Sequence, residues 1–275
     1  MPELPEIEVT CRSLAPLQGA RVQGLHLGKP LRWPLGVAPE RLAGAEVAAP
    51  LRRGKYLWLP LSGAAGGLLW HLGMSGALVF HPAAGALAPA GPHDHADLVT
   101  DLGTLRLTDP RRFGAVIWSP AMDAGVAGTL LARLGPEPFD PLLTPARFHT
   151  ALKGRRTAVK VALMGGELVV GAGNIYASEA LFRAGIAPTT PCMRIGPVRA
   201  ARLLAAVREV LGDAIAAGGS TLRNYRSGAG EAGRFQWLAQ VYGREGQPCL
   251  RCGTAIRRTV QAQRATFHCP VCQRG

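Results

Sequence analysis

The sequence predicts an α+β chain: a β-sandwich first, a helical part second, and a small metal-binding module at the end. Three observations carry this. From Arg21 to Trp118 the apolar residues fall in short β-like runs separated by Gly, Pro and Asp. Beyond Leu134-Gly-Pro-Glu-Pro-Phe-Asp-Pro141, a linker with three prolines, the apolar period turns helical. Four cysteines then stand near the end in two C-x-x-C pairs.

Taken in order, Ile7, Cys11 and Leu14 repeat at helical spacing, with Pro5 near the start of that helix and Gly19 past its end. The strand candidates are Lys55–Leu61, Gly67–Leu72, Ala77–Phe80, Ala96–Asp101, Thr104–Thr108 and Ala115–Trp118, with an Ala/Gly/Pro loop at Gly85–Pro92. The helix candidates are Pro145–Lys153, Thr157–Met164, Asn174–Ala184 and Pro197–Ala217. In the last, Ala200, Leu204, Val207, Leu211 and Ile215 form one apolar stripe. Ser220–Gly233 is Gly-rich, polar and basic, and reads as a loop. The expected domains are 1–133 (sandwich), 134–144 (linker), 145–219 (helical), 220–247 (loop and connector) and 248–275 (metal module).

Charged residues are only 18% of the 275-residue chain, yet the formal net charge is +13. Residues 1–133 hold 12 basic and 10 acidic side chains, and residues 134–275 hold 19 and 8, so the second half is the main surface for a polyanion. No apolar run is long enough for a membrane span and the N-terminus is acidic, which predicts a cytoplasmic protein without a signal peptide. Only four of the 31 basic residues are lysines, namely Lys29, Lys55, Lys153 and Lys160. That rarity singles each one out as a possible compact phosphate ligand.

Cys249-x-x-Cys252 and Cys269-x-x-Cys272 have the spacing of a closed, structural tetrahedral zinc site. Arg257, Arg258 and Arg264 lie between the pairs, where a hairpin would present them to nucleic acid. Cys11 sits on an apolar helical stripe and reads as core, and Cys192 receives no assignment. His93-Asp94-His95 is an incomplete ligand set for a second metal.

The opening Met1-Pro2-Glu3-Leu4-Pro5-Glu6 adds chemistry. With Met1 removed, Pro2 is a secondary amine beside the Glu3 carboxylate. Condensed with a sugar carbon, it forms an iminium that cannot discharge by losing an N–H proton, so it remains an electron sink until the sugar eliminates.

Together these segments resemble the bacterial formamidopyrimidine-DNA glycosylases. The motifs are Met1–Glu6, Arg52-Arg-Gly-Lys-Tyr56, His71-Leu-Gly-Met-Ser-Gly76, Thr108-Asp-Pro-Arg-Arg-Phe-Gly114, Val170–Glu179, Gln240-Val-Tyr-Gly-Arg244 and Gln263–Cys269, in family order. Leu4 and Asp109–Gly114 favour this branch over the endonuclease VIII type, which prefers oxidised pyrimidines. The resemblance implies two lobes: a β-sandwich with flanking helices, then a helical lobe with a helix–two-turn–helix and a zinc finger, with DNA in the cleft between them.

It further implies a bifunctional glycosylase and abasic-site lyase acting as a monomer on double-stranded DNA that contains oxidised purines or abasic sites. Its one cofactor is a structural Zn2+, with no small-molecule cofactor. By resemblance, Pro2 attacks the sugar and Glu3 shuttles protons, with Lys55 and Arg264 in the catalytic set. Lys55, His93, Asn174, Tyr242 and Arg264 meet phosphates, and Arg112 belongs to the same DNA-binding group. Met74, Arg111 and Phe113 fill the gap left by the extruded nucleotide, two apolar wedges and one hydrogen-bonding cation. Asn174, after Gly171-Ala-Gly173, is also expected to cap the helix it begins. The Ser220–Gly233 loop would close over the flipped base. The competing readings are an oxidised-pyrimidine glycosylase and a non-catalytic, zinc-containing nucleic-acid-binding protein. The second leaves Pro2-Glu3 without a role.

Overall fold

The computed structural model describes residues 2–63, 66–85, 87–220 and 227–275. They form two compact units: Met1–Arg133 with Ala217–Arg234, and Leu134–Ala216 with Phe235–Gly275. Within the predicted Ser220–Gly233 loop, residues 221–226 lie outside the described residues, as does Met1.

The first unit begins with α1 (Leu4–Ser13), carrying Pro5 in its first turn as expected, and Glu3 and Glu6 form a capping box across its start. Eight strands follow: β1 (Val22–Leu27), β2 (Leu51–Arg53), β3 (Tyr56–Pro60), β4 (Gly67–His71), β5 (Ala77–Pro82), β6 (Asp94–Thr100), β7 (Gly103–Thr108) and β8 (Ala115–Ser119). They make two four-stranded antiparallel sheets, ordered β1-β6-β7-β5 and β2-β3-β4-β8.

Cross-strand register explains how these sheets make a core. Leu57 faces Trp70, which faces Val116, and Leu59 faces Leu68, so one face of the second sheet is a continuous apolar ladder. It packs with Val22 and Leu25 of β1, Leu78 of β5, Leu98 of β6 and Leu105 and Leu107 of β7 in one buried cluster. Ile7 and Leu14 join that cluster, which ties the first helix to the sandwich. The predicted strands are present with ends moved by a few residues. β1 and β2 were not distinguished by their polar-interrupted sequences. Nor was the short α2 (Gly125–Leu131), whose two glycines hide a helical period.

The second unit holds α3 (Pro145–Leu152), α4 (Val159–Gly165), α5 (Asn174–Ala184) and α6 (Pro197–Ala216). On α6 the predicted stripe is buried through Ala200, Leu204, Val207 and Leu211, but Ile215 is only partly covered and Ala214 takes its place. A 3.6-residue repeat drifts around the helix, so the buried face widens to Leu203, Val210 and Ala214. Arg208 of α6 donates to the carbonyls of Pro138, Asp140 and Leu143, which fixes the proline-rich linker. The chain closes with a two-stranded hairpin, β9 (Arg257–Gln261) and β10 (Arg264–His268). Its core is small: Cys249, Ile256, Phe267 and Cys269, completed by Phe182 of α5 and Val241. No helix among the described residues is long and apolar enough to cross a membrane.

Candidate active site and nucleic-acid interface

Pro2 and Glu3 are both buried at the start of α1. Their orientation is set by Glu6, whose Oε2 accepts the Glu3 N–H at 2.7 Å. One turn on, Glu8 accepts from Arg52 of β2 at 2.6 Å and from Arg12 at 2.7 Å. Burial works against the Glu8 charge, but the two guanidinium groups outweigh it and hold its carboxyl below the usual range. Arg52 also donates to the Gly54 carbonyl. Lys55 completes this Gly54–Lys55 turn between β2 and β3, so the turn is tied to α1, the helix that follows Pro2.

Asp109, fully buried, organises the next cluster. Its carboxylate accepts from the Ser75 hydroxyl at 2.6 Å, the Arg111 N–H at 3.2 Å and the Gly114 N–H at 2.7 Å. Its carbonyl accepts from the Arg112 N–H and from His95 Nε2, and its own N–H bonds the His93 carbonyl at 2.8 Å. One residue thus joins, through its side chain and its main chain, the loop bearing Arg111, Arg112 and Phe113 to the turn bearing Met74 and to exposed His93. The two loops also touch directly. A Cβ on Gly73, which has φ +58°, would lie 2.5 Å from the Phe113 backbone, so only glycine permits this approach.

His71 supports the same pair. Its Nδ1 accepts the Gly73 N–H at 3.2 Å, and its ring bonds the Phe113 backbone and lies tilted against Tyr56, centroids 4.9 Å apart. Burial, then the charges of Lys55 and Arg32, push its pKa down to about 4, so the ring is neutral near pH 7. Phe113 stands exposed with the Arg111 guanidinium 4.7 Å over its ring. An exposed aromatic with an attached cation is a suitable wedge for a base stack. The His93-Asp94-His95 triplet is engaged elsewhere. Asp94 bonds Thr108 and Arg106, while His95 Nε2 bonds the Asp109 carbonyl.

In the second unit the buried ammonium of Lys160 (α4) donates to Asn174 Oδ1 at 2.6 Å, Thr266 Oγ1 at 2.7 Å and the Ala265 carbonyl at 3.1 Å. Asn174 also reaches the Tyr242 hydroxyl at 3.4 Å. The helix cap expected of Asn174 is not formed: Gly173 is the N-cap, Asn174 is the first helical residue, and its side chain is drawn to Lys160 instead. Tyr242 is fixed by Glu179, a buried carboxylate accepting the N–H groups of Gln240, Val241 and Tyr242 at 2.8 to 3.0 Å. Burial raises the Glu179 carboxyl above its usual range, against the pull of those N–H groups and of Arg183. Arg264 is exposed, directly after the hairpin turn Ala262–Gln263. Asn174, Tyr242 and the Arg264 hairpin therefore form one hydrogen-bonded face.

Backbone strain falls in the same places. Among the described residues the non-glycine positions with positive φ are Arg112 (55°), Ala262 (45°) and Gln263 (58°). Each costs of order 1–3 kcal/mol and persists only where surrounding structure enforces it. All three lie in the loops carrying the predicted DNA contacts.

The sulfur atoms of Cys249, Cys252, Cys269 and Cys272 all lie within 4.8 Å of one another. The Cys249–Cys272 and Cys252–Cys269 separations, 3.9 and 3.5 Å, are far too long for disulfides. They bracket the edge of about 3.8 Å that a tetrahedron with ~2.3 Å zinc–sulfur bonds requires. The Arg251 and Cys272 N–H groups point at the Cys249 and Cys269 sulfurs at 3.4 Å. Burial first, then its neighbouring cysteines, pushes the Cys272 thiol up to about 12, so four crowded thiolates need a dication to offset their charge. The residues fit Zn2+.

Four supporting residues were not singled out from the sequence: Asp109, His71, Glu179 and Glu6. Asp109 had a signal, since an Asp before Pro starts turns by bonding N–H groups two residues on. Lys160 was marked only by the rarity of lysine.

A sandwich-first, helices-second chain with a four-cysteine hairpin and strained basic loops defines a class, that of zinc-finger proteins built to face a polyanion. Family models narrow it. The formamidopyrimidine-DNA glycosylase N-terminal domain matches residues 1–116, that family's H2TH domain matches 134–226, and the zinc finger found in FPG and IleRS matches 246–275. A formamidopyrimidine-DNA glycosylase of Albidiferax ferrireducens is 56% identical across the whole of both chains. The MutM (Fpg) protein of Thermus thermophilus superposes with a TM-score of 0.88 at 39% identity, over 99% of this chain and 98% of that one. A Lactococcus lactis FPG mutant in complex with Fapy-dG containing DNA does so with a TM-score of 0.87 at 31% identity, over all of both chains. The chain belongs to the formamidopyrimidine-DNA glycosylase family.

Three outcomes are expected. The unfolded chain binds the His71 proton below pH 6.5 and the folded one only near 4, so stability falls as pH drops through that window. The loss from this site is up to about 3 kcal/mol. Urea unfolding of His71→Gln at pH 6.5 and pH 4 should show a correspondingly shallower loss than the unsubstituted protein. Lys160→Met leaves three acceptors unsatisfied and should cost about 2–4 kcal/mol in urea unfolding, with at least tenfold weaker duplex binding by fluorescence anisotropy. Atomic absorption should find one zinc per chain. Its removal by chelation should raise hydrogen exchange across 246–275 while leaving exchange in the sandwich strands unchanged.

Proposed function

We propose that this chain is a bifunctional DNA glycosylase and abasic-site lyase of base-excision repair, removing oxidised purines such as 8-oxoguanine and formamidopyrimidines from double-stranded DNA. The observation that carries the reading is Pro2 held at the head of a capped, packed helix with Glu3 beside it. A terminus serving only as a chain end has no need of such fixation. The solved complex of the Lactococcus lactis relative with Fapy-dG containing DNA supports the substrate class. The protein acts as a monomer in the cytoplasm, on the nucleoid.

The chemistry requires the target nucleotide to leave the stack, at a cost of a few kcal/mol. Met74 and Phe113 fill the vacated space, and Arg111 hydrogen-bonds the orphaned base. His93, Arg112, Asn174, Tyr242 and Arg264 hold the backbone, each as a point of phosphate contact. The Pro2 nitrogen, freed by removal of Met1, attacks C1′ as the bond to the damaged base breaks. Glu3 moves a proton at the sugar-ring oxygen and C1′ side. The resulting iminium draws electrons from the sugar, so the two phosphate bonds break by β- and then δ-elimination. Lys55 and Arg264 complete the catalytic set as two cations that offset the charge on the phosphates departing at these steps. The zinc finger supplies structure, holding the hairpin that presents Arg264.

Borohydride reduction during reaction with an 8-oxoguanine duplex should trap one covalent adduct, which peptide mapping places on Pro2. Pro2→Gly keeps an amine but forms a neutralisable imine, and should slow strand cleavage by roughly 10²-fold or more. An adduct at any lysine with Pro2 unmodified would refute the assignment.

A further inference from the structure

Glu6 has a second partner that the chemistry above does not use. While Oε2 accepts the Glu3 N–H at 2.7 Å, Oε1 accepts the Ser220 N–H at 2.7 Å, 214 residues away in sequence. The side chain is 1% exposed, so solvent does not compete for these bonds. The Ser220 segment is a narrow neck. Ser220 pairs with Arg234, the Arg234 N–H bonds the Ala217 carbonyl at 2.9 Å, and Gly233 lies against Gly219. The neck presses on Glu6 itself: Gly219 has φ +82°, and a Cβ there would lie 3.0 Å from Glu6 Oε1.

The downstream side of this segment is anchored on the same helix. The Gly228 carbonyl accepts the Phe80 N–H at 2.8 Å. A Cβ on Gly228 would lie 2.4 Å from Ser13 Oγ and 2.9 Å from Leu14 Cδ2. Segments 217–220 and 227–234 are thus fastened to the sandwich unit at both ends of α1, although α6, which leads into them, belongs to the helical unit.

The Glu3 N–H belongs to the peptide that joins Pro2 to Glu3. Whatever turns that peptide plane turns the torsion that aims the Pro2 ring. We propose that Glu6 is a positioning residue that makes the reactivity of the N-terminal proline depend on the placement of the neck formed by 217–220 and 227–234. One rigid carboxylate grips both, so displacement of the neck rotates the Pro2–Glu3 peptide. This rests on Pro2 being the nucleophile. It predicts that disturbing either described flank slows the reaction, even on a substrate that has no base to recognise.

The test is borohydride trapping on an abasic-site duplex at saturating enzyme, which reads the nucleophile without lesion recognition. Glu6→Gln keeps one acceptor oxygen for two N–H donors and should slow trapping by on the order of 10²-fold, the usual effect of misplacing a reacting group by about an ångström. Gly228→Ala disturbs the neck remotely from Pro2. It should slow trapping by about tenfold, while affinity for a non-cleavable abasic analogue stays within twofold and zinc is retained. The double variant should be no slower than Glu6→Gln alone, since both break one linkage. Hydrogen exchange at the Ser220 amide should speed up in both single variants. Trapping by Gly228→Ala at the unsubstituted rate, or slowing by Glu6→Gln with the Ser220 amide still protected, would overturn the coupling. A multiplicative double variant would do the same. If the unsubstituted protein gives no Pro2 adduct at all, the catalytic assignment itself fails, a result distinct from each of these.

Discussion

Buried carboxylates bonded to main-chain N–H groups are the interaction on which this structure depends. Asp109 takes those of Arg111 and Gly114, Glu6 those of Glu3 and Ser220, and Glu179 those of Gln240, Val241 and Tyr242. Each carboxylate fixes an irregular segment that carries a functional residue. Irregular segments present N–H groups that no ladder satisfies, and a buried carboxylate has acceptor sites to match them. The bonds are charge-assisted, and they stiffen a loop without a strand on either side. In a chain of net charge +13 this has a second consequence. The acids that brace these loops, Glu6, Asp109 and Glu179, are buried and bonded to main chain, so they do not compete on the surface for a phosphate backbone.

Stiffness is what lets the loops hold strain. Arg112 and the Ala262–Gln263 turn occupy left-handed backbone that side-chain-bearing residues avoid, and glycine would relieve it. Arg112 stays there because Asp109 grips its own loop at both the Arg111 and Gly114 N–H groups. The hairpin turn is held because β10 is bound from below by Lys160 through Thr266 and Ala265. In both places the enforced conformation leaves an arginine exposed, Arg112 in one and Arg264 in the other. The zinc cluster acts on the same hairpin from its other end, where Cys269 closes a core of only six buried residues.

The layered order of the fold was legible from period and punctuation, because strands and helices bury one side at fixed spacing. The cysteine cluster was legible because two tight knuckles leave four thiols few other arrangements. Elements without a clean period escaped: α2, with glycines inside it, and β1, whose alternation is broken by a register shift between Val22 and Gly24. In the site, the motifs pointed to residues that face outward. They did not point to those that hold them in place. Asp109, Glu179 and His71 each act through contacts that depend on three-dimensional closure, and nothing in local sequence distinguishes a buried carboxylate from a solvated one. Asn174 shows the same limit. Its position suited a helix cap by every local rule, and a lysine fourteen residues earlier decided its role.

The two units divide the work by physical type. In the assignment proposed above, the sandwich unit carries the reactive amine, the proton shuttle and the apolar wedges, all of which need sub-ångström placement and are built on a sheet whose register is locked by a shared core. In the same assignment the helical unit carries Asn174, Tyr242 and Arg264 as donors to phosphate, joined from the sandwich unit by His93 and Arg112, and such contacts tolerate looser geometry because the backbone charge is repeated along the strand. The sequence charge follows this division, close to neutral in residues 1–133 and strongly basic in 134–275. On this assignment substitutions at Asn174 and Tyr242 act on affinity and its salt dependence, whereas those around Asp109, His71 and Glu6 act on rate once DNA is bound. The exception is residues 217–234, contributed by the chain of the basic half but packed into the reactive unit. Under the coupling proposed above, a disturbance of its described flanks is felt at Pro2 through Glu6.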